Sequence, residues 1–215
     1  MFVRGNDPVG LGLVANLARP GGNITGLTAS LGPEIAGKQL ELLKETVAKV
    51  SRVSALWNPE TPGNVLALKE AETAARALGV ELQPLEARGL EAFDDAFGAM
   101  AANRAGALLV LGDVCSSPTE HGWPNLPRRT AFPPCTTSES SWTTDGGLMS
   151  YGVKISANFR CAATYVDKIL RGAKPADLPI ERPSTFELIV NVKTAKALGL
   201  TIRQSVLARA DQIIA

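Results

Sequence analysis

No apolar run in this sequence approaches the ~20 residues that a helix needs to cross a bilayer. We therefore expect no membrane-spanning segment. A basic excess is also missing, because 22 Lys and Arg residues are balanced by 21 Asp and Glu residues, for a net charge of +1. Proteins that follow nucleic-acid phosphates carry a basic surface. The charge balance therefore argues against nucleic acid as a partner.

The residues that carry most catalytic and metal chemistry are equally scarce. The chain has one histidine, His121, and three cysteines, Cys115, Cys135 and Cys161, which lack the spacing of a metal or redox site. Apart from His121, whose segment is discussed below, nothing supplies a Ser-His-Asp set, a His-based metal site or a P-loop. We therefore expect no catalytic residue, no metal and no cofactor, and the sequence predicts a protein that is not an enzyme.

One glycine motif resembles a nucleotide site. Gly10-Leu-Gly12-Leu-Val-Ala15 follows a predicted strand and opens a predicted helix, as the dinucleotide fingerprint does. That fingerprint needs an acidic residue at the end of a second strand about 20 positions further on, where this chain has Ser30-Leu-Gly-Pro33. We interpret the glycines as sites of close helix packing.

What the chain does have is 45% hydrophobic residues and a regular alternation of strand and helix patterns. The alternation occurs three times between residues 33 and 111, which predicts an α/β fold with a parallel sheet and right-handed crossovers. The predicted strands are 2–3, 52–57, 80–85, 105–111, 148–151 and 186–190, and residues 23–27 are expected to be extended. The predicted helices are 9–17, 33–50, 62–78, 90–101, 155–170, 192–198 and 205–214.

Polar residues stand just past the ends of four predicted strands, where α/β sheets bind ligands. They are Asn6, Asp7, Asn58, Asp113 and Tyr151. Asn and Asp in such places also cap the following helix or turn, and for each residue both roles remain open. Four such edges together favour a binding cleft.

Several stretches of the chain resemble one family of binding proteins. They are Asn6-Asp-Pro-Val-Gly10, Leu17 to Thr28, Gly37 to Glu45, Leu56-Trp-Asn-Pro59, Gly146 to Gly152, Ala163 to Leu170 and Lys193 to Leu200. Together they cover nearly everything outside residues 115–144 and resemble the ABC-transporter substrate-binding family that includes tryptophan/tyrosine-type binding proteins. The resemblance implies two α/β lobes with parallel sheets, of the periplasmic-binding-protein type, joined by three crossovers around a small ligand.

The resemblance also implies a division of the chain. Residues 1–29 and 152–183 correspond to a remnant of the N-terminal lobe, and residues 30–151 and 184–215 to the C-terminal lobe. Thr25-Gly26 corresponds to one crossover and Ser150-Tyr151 to another. On this basis Thr25 and Thr28 join the five strand-end residues as candidate ligand contacts.

The expected partners are a small, amino-acid-like solute and the permease subunits of an ABC importer. The expected location is the periplasm or a lipid anchor outside the cytoplasm. A second class shares the two-lobe architecture, namely the ligand-sensing domain of a cytoplasmic transcriptional regulator, and fold alone does not separate the two. A signal sequence or lipoprotein cysteine encoded upstream would support import, and a helix-turn-helix would support regulation.

In the family, a signal peptide and most of the first lobe precede the residues that match Phe2. We therefore expect the first lobe to be mostly missing from this chain. Small-molecule sites usually bury most of the ligand surface, and a clamp with one incomplete wall cannot do so. We expect the chain to bind no amino acid with submicromolar affinity in calorimetry.

Residues 115–144 do not fit the alternation. They hold the only His, two of three Cys, two of three Trp and five of fourteen Pro, and a structureless loop of this length is uncommon in a compact domain. An exposed functional loop is one interpretation. One allowed choice of codons for the same residues, read from the third base of each codon, gives RARLAELAAKN, which has a helical pattern, followed by LPAMYNF, which suits a strand. We interpret the segment as a frameshift that lacks the helix and strand required by the fold.

The frameshift hypothesis predicts that restoring the frame stabilises the protein. Each proline inside a helix costs about 3 kcal/mol, whereas each large apolar side chain that the restored helix buries contributes about 1.5–3 kcal/mol. Resequencing the DNA and comparing the thermal unfolding of the two chains tests this. The hypothesis is wrong if the reads confirm the present frame and the repaired chain melts no higher.

Overall fold

A computed structural model describes residues 1–5, 8–28, 32, 34–61, 63–88, 92–112, 134–138 and 147–215 of the chain. The strands are β1 (Phe2–Gly5), β2 (Gly26–Thr28), β3 (Arg52–Trp57), β4 (Glu81–Glu86), β5 (Ala107–Val110), β6 (Pro134–Ser138), β7 (Met149–Val153), β8 (Phe186–Asn191) and β9 (Gln212–Ile214). The helices are α1 (Glu34–Thr46), α2 (Asn64–Leu78), α3 (Ala92–Ala102), α4 (Ile155–Leu170), α5 (Val192–Ala197) and α6 (Gln204–Leu207), with a 3₁₀ turn at Pro175–Asp177.

The chain divides into two compact units. The small unit comprises Met1–Leu31 and Val153–Phe186, and the large unit comprises Gly32–Gly152 and Glu187–Ala215. The chain therefore passes from one unit to the other three times, after residues 31, 152 and 186.

The seven strands β3 to β9 form one sheet in the order β4-β3-β5-β6-β7-β8-β9. β3 pairs in parallel with both β4 and β5, β5 with β6, and β8 with β9. The predicted α/β class with parallel sheets is confirmed. The pair β7 and β8 differs from these parallel pairs in its hydrogen bonds. The Lys154 N–H donates to the Thr185 carbonyl, and the Asn191 N–H donates to the Leu148 carbonyl. Opposite ends of the two strands thus meet, as in an antiparallel pair.

The sheet of the large unit is buried on both faces. Val53 and Ala55 of β3 pack with α1 and α2 in one apolar cluster, and Leu56 packs with Phe93 and Met100 of α3 in a second. Successive side chains of a strand point to opposite faces, so a strand covered on both sides is expected to be apolar at nearly every position. This explains why the continuous apolar run of β5 was recognisable from the sequence.

Three expectations differ from the structure. Residues 9–17 form turns instead of a helix, because Gly10 and Gly12 disfavour a helix and Gly12 takes a φ of 69°. The predicted helix 205–214 ends at Leu207, and the last apolar residues form β9, which pairs with β8. The glycine motif therefore opens no helix, and the structural context that a nucleotide fingerprint requires is not present there.

The third difference concerns the segment 115–144, which we expected to lack a strand. Pro134–Ser138 forms β6 beside β5, with Leu108 opposite Pro134. Proline is tolerated at the first position of a strand and threonine favours strands, so this part of the expectation is wrong. The rest of the segment, including the part where we expected a helix to be lacking, lies outside the described residues, and the frameshift stays a prediction.

A small core holds the small unit together. Leu27 of β2 packs with Ala162 and Tyr165 of α4. The side chain of Tyr165 is fully buried. Its hydroxyl oxygen lies 2.7 Å from both the Pro179 carbonyl oxygen and Oε1 of Glu181. Because the Glu181 backbone also bonds to β2 through the Thr28 N–H, Tyr165 connects α4 to the strand that leads into the first crossing.

Alkaline pH should weaken the small unit. Burial, and then the hydrogen bond to Glu181, raises the pKa of Tyr165 above its ordinary value of 10.0. Burial, and then Glu181, also raises the pKa of Cys161 above 9.0. Both groups keep their protons to higher pH in the folded chain than in the unfolded one. The resulting stability is therefore present below pH 9.0 and is lost as pH rises through the raised folded values.

We predict that Tyr165→Phe is less stable than the parent at about pH 8 but loses less stability between about pH 8 and pH 11, because phenylalanine cannot ionise. Urea unfolding at several pH values measures both quantities. An equal alkaline loss in the two proteins would show that Tyr165 does not contribute to it.

Candidate functional site

The carboxyl ends of β3 and β5 lie at the same edge of the large unit's sheet. The two strands are parallel, with Leu56 opposite Val110. Asn58 follows directly after β3, and Gly112 follows shortly after β5. This is the edge at which open α/β sheets bind their ligands.

Asn64 joins the turns that follow these two strands. Asn64 is the first residue of α2 and is buried, with 4% of its surface exposed. Its Nδ2 donates to the Asn58 carbonyl over 3.0 Å. A Cβ added to Gly112 would lie 2.3 Å from Oδ1 of Asn64. The two turns therefore pack closely through Asn64, a residue that the sequence did not single out.

The side chain of Asn58 takes part in its own turn. Its Oδ1 accepts a hydrogen bond from the Glu60 N–H over 2.9 Å, as an asparagine in a turn often does. Asn58 is half-buried. Asn58 therefore has the capping role that the sequence left open. The bond uses its Oδ1 and does not involve its Nδ2.

Trp57, the last residue of β3, adds a second unanticipated group at this edge. Its half-buried ring packs against the cluster shared by β3, α1 and α2. The indole N–H is buried and meets no acceptor among the residues that the structure describes. A buried donor without a partner is unfavourable, which makes this position worth testing for ligand contact.

Tyr151 lies in β7, just before the second crossing of the chain. Leu148, Met149, Ser150 and Gly152 around it are buried, but Tyr151 is only half-buried. Its carbonyl accepts a hydrogen bond of 2.8 Å from Nε2 of Gln39. A partly exposed aromatic side chain on an otherwise buried strand can offer both ring contact and a hydroxyl group to a ligand.

Thr25 and Thr28 lie in the small unit and differ in their hydrogen bonding. Both are buried. The Thr25 hydroxyl donates to the Leu178 carbonyl over 2.8 Å, whereas Oγ1 of Thr28 has no partner among the described residues. The hydroxyl of Thr28 is therefore the one with hydrogen-bonding capacity left.

The seven candidate residues do not form one described cluster. Thr25 and Thr28 belong to the same short segment. Asn58 follows β3 and Tyr151 lies in β7, and β5 and β6 stand between these two strands. Three strand spacings correspond to a lateral distance of about 14 Å. Asn6, Asp7 and Asp113 lie outside the described residues. All seven stay predictions.

None of the helices in the described part of the chain is long and apolar enough to cross a membrane. The model of the ABC transporter substrate binding protein family matches residues 1–214. This chain belongs to that family. Its members are named for binding a substrate and not for a catalytic step.

Two relatives illustrate the similarity. A tyrosine-binding protein from Clostridioides difficile (strain R20291) is 25% identical over 199 residues, which cover 90% of this chain and 55% of that protein. An ABC domain from Streptococcus pneumonia, solved in complex with L-Trp, superposes on this chain with a TM-score of 0.80 at 26% identity. The superposition covers 99% of this chain and 72% of the other. The chain thus spans about half the length of the curated relative it matches.

A LacI family transcriptional regulator from Bifidobacterium animalis subsp. lactis is also similar. It has a TM-score of 0.54 at 14% identity and covers 75% of this chain and 61% of that one. At this identity the similarity shows the fold alone.

The close packing of the turns after β3 and β5 around Asn64 can be tested with two glycines that have similar backbone angles. Gly112 and Gly79 have φ values of 61° and 63°, but an added Cβ would collide with Asn64 only at Gly112 and meets nothing within 4 Å at Gly79. We predict that Gly79→Ala costs about 1–2 kcal/mol, the usual penalty for a left-handed conformation. Gly112→Ala should cost about 1 kcal/mol more, because Asn64 must give up its bond to Asn58.

Urea unfolding of the two variants measures the difference. In an Asn64→Ala background the extra cost at Gly112 should disappear, because the colliding side chain is gone. Equal costs at the two glycines in the parent background would contradict this close packing.

Proposed function

We propose that this chain is part of the solute-binding component of an ABC importer and binds a small, amino-acid-like solute. The observation that carries the proposal is the family match over residues 1–214. The protein would act by binding and releasing its solute, with no covalent step.

The large unit contributes suitable groups to such a site. Tyr151 is the half-exposed residue in the buried stretch that precedes the second crossing, and Asn58 and Trp57 stand at the carboxyl edge of β3. Pockets for small molecules combine aromatic walls with a few placed polar groups. In our proposal Tyr151 and Asn58 contact the solute together with Asn6, Asp7 and Asp113.

The small unit contributes Thr28 in this proposal. Its hydroxyl is buried without a partner in the described part of the chain, a state that becomes favourable once a solute supplies a hydrogen-bonding group. Thr25 also remains a candidate, although the bond to Leu178 already occupies its hydroxyl proton.

The solute class follows from the relatives. One is named for binding tyrosine and the other was solved with L-Trp, and both are close to one quarter identical to this chain. We therefore propose an aromatic amino acid as the first solute to test. Delivery to permease subunits, and a location in the periplasm or at a lipid anchor outside the cytoplasm, complete the proposal.

The second candidate function is the ligand-sensing domain of a transcriptional regulator. The LacI family structure supports this candidate at the level of fold. The family match favours import, since the matching model describes substrate-binding proteins of transporters.

Titration with a panel of amino acids tests the proposal. We predict saturable shifts of backbone amide resonances with L-Tyr or L-Trp at micromolar to millimolar concentrations, and weaker shifts with acidic and basic amino acids. D-Trp serves as the control for nonspecific contact with aromatic rings. A panel without any saturable response would contradict solute binding by this chain.

The two threonines provide a matched pair of variants. Thr28→Val removes an unpartnered hydroxyl, so we predict weaker solute binding and little change in the free energy of unfolding. Thr25→Val removes the bond to the Leu178 carbonyl, so we predict a loss of about 0.5–1.5 kcal/mol in stability. Urea unfolding and the titration separate the two effects, and unchanged affinity in Thr28→Val would exclude Thr28 as a contact.

A further inference from the structure

Gln39 is a polar residue on the buried face of α1. Its neighbours Ala36, Leu40 and Leu43 belong to the apolar cluster of the large unit, and Gln39 itself is fully buried. α1 packs against β5 and β6. Burying an amide among apolar side chains is unfavourable unless it is hydrogen-bonded. A leucine or methionine would suit packing alone, so the presence of glutamine points to a role for its hydrogen bonds.

One hydrogen-bond partner of Gln39 is far away in the sequence and lies close to a crossing between the two units. Nε2 of Gln39 donates to the Tyr151 carbonyl over 2.8 Å, across 112 positions of the chain. Tyr151 stands two residues before Val153, where the chain enters the small unit. The bond therefore anchors β7 to α1 immediately before the crossing.

Anchoring this carbonyl also constrains the point and direction from which the side chain of Tyr151 leaves the backbone. The Cα position and the direction of the Cα–Cβ bond follow from the backbone at residue 151. A binding group that is out of place by about 1 Å makes poor contacts even when its own atoms are intact. Gln39 is thus in a position to influence where the half-buried Tyr151 side chain starts.

We propose that Gln39 is a positioning residue for solute binding, which acts through its hydrogen bond to the Tyr151 carbonyl. The proposal rests on the proposed function, in which Tyr151 contacts the solute. It assigns to Gln39 an effect on affinity that is separate from its contribution to packing.

A double-mutant cycle distinguishes positioning from packing. Gln39→Met keeps the length and apolar character of the side chain and removes the donor. In the parent chain this substitution should weaken the affinity for L-Tyr or L-Trp by about tenfold, and in a Tyr151→Ala background by less than about twofold, because residues that act through one contact are not additive. The loss of stability should be similar in both backgrounds.

Thr46→Val is the matched control. Thr46 is buried on the same helix, and its hydroxyl donates to the Leu42 carbonyl within α1. This variant should lose stability without a change in affinity. If Thr46→Val weakens solute binding as much as Gln39→Met, or if the effect of Gln39→Met is the same in both backgrounds, the positioning role is refuted. Absence of binding by the parent chain would instead refute the proposed function.

A second measurement applies if Gln39→Met does not fold. In the parent chain, the side-chain amide resonances of Gln39 should shift with the solute concentration along the same saturation curve as the backbone amides of β7. A shift at β7 with none at Gln39 would overturn the proposal.

Discussion

The parallel pairing of β3 with β4 and β5 is the constraint on which the large unit depends. Strands that run in the same direction end at the same edge, so the pairing of Leu56 with Val110 places the turns after both strands side by side. The central position of β3 and β5 also favours side chains that are mostly apolar on both faces. The ends of these strands can therefore carry polar groups more easily than their middles, and Asn58 and Asn64 lie there.

A second feature is the use of single buried polar groups to fasten distant segments. Gln39 attaches α1 to β7, Asn64 joins the turns after β3 and β5, and Tyr165 attaches α4 to the segment beside β2. Each of these groups is buried and bonded, and each stands close to a candidate binding residue or to a crossing between the units. Removing one partner of such a bond leaves the other unsatisfied, which makes these contacts specific as well as stabilising.

Local patterns allowed the long helices and all strands of the large unit except β6 and β9 to be predicted, because burial on two faces or on one helical stripe leaves a periodic trace. They failed where apolar residues recur without a clear period. Leu11 and Leu13 lie exposed in turns among glycines, and Ile213 belongs to a strand added at the sheet edge. Of the candidate site, the strand-end residues could be named, since position alone identifies them. Gln39 and Asn64 could not, because Gln39 meets Tyr151, and Asn64 meets Gly112, only in the folded chain.

The proposed function requires that the chain binds an amino-acid-like solute. Equilibrium dialysis of the purified chain against labelled L-Trp and L-Tyr measures this binding. We predict saturable retention near one solute per chain, displaced by the unlabelled amino acid and reduced in Tyr151→Ala. Retention that rises linearly with concentration and is equal in Tyr151→Ala would contradict it.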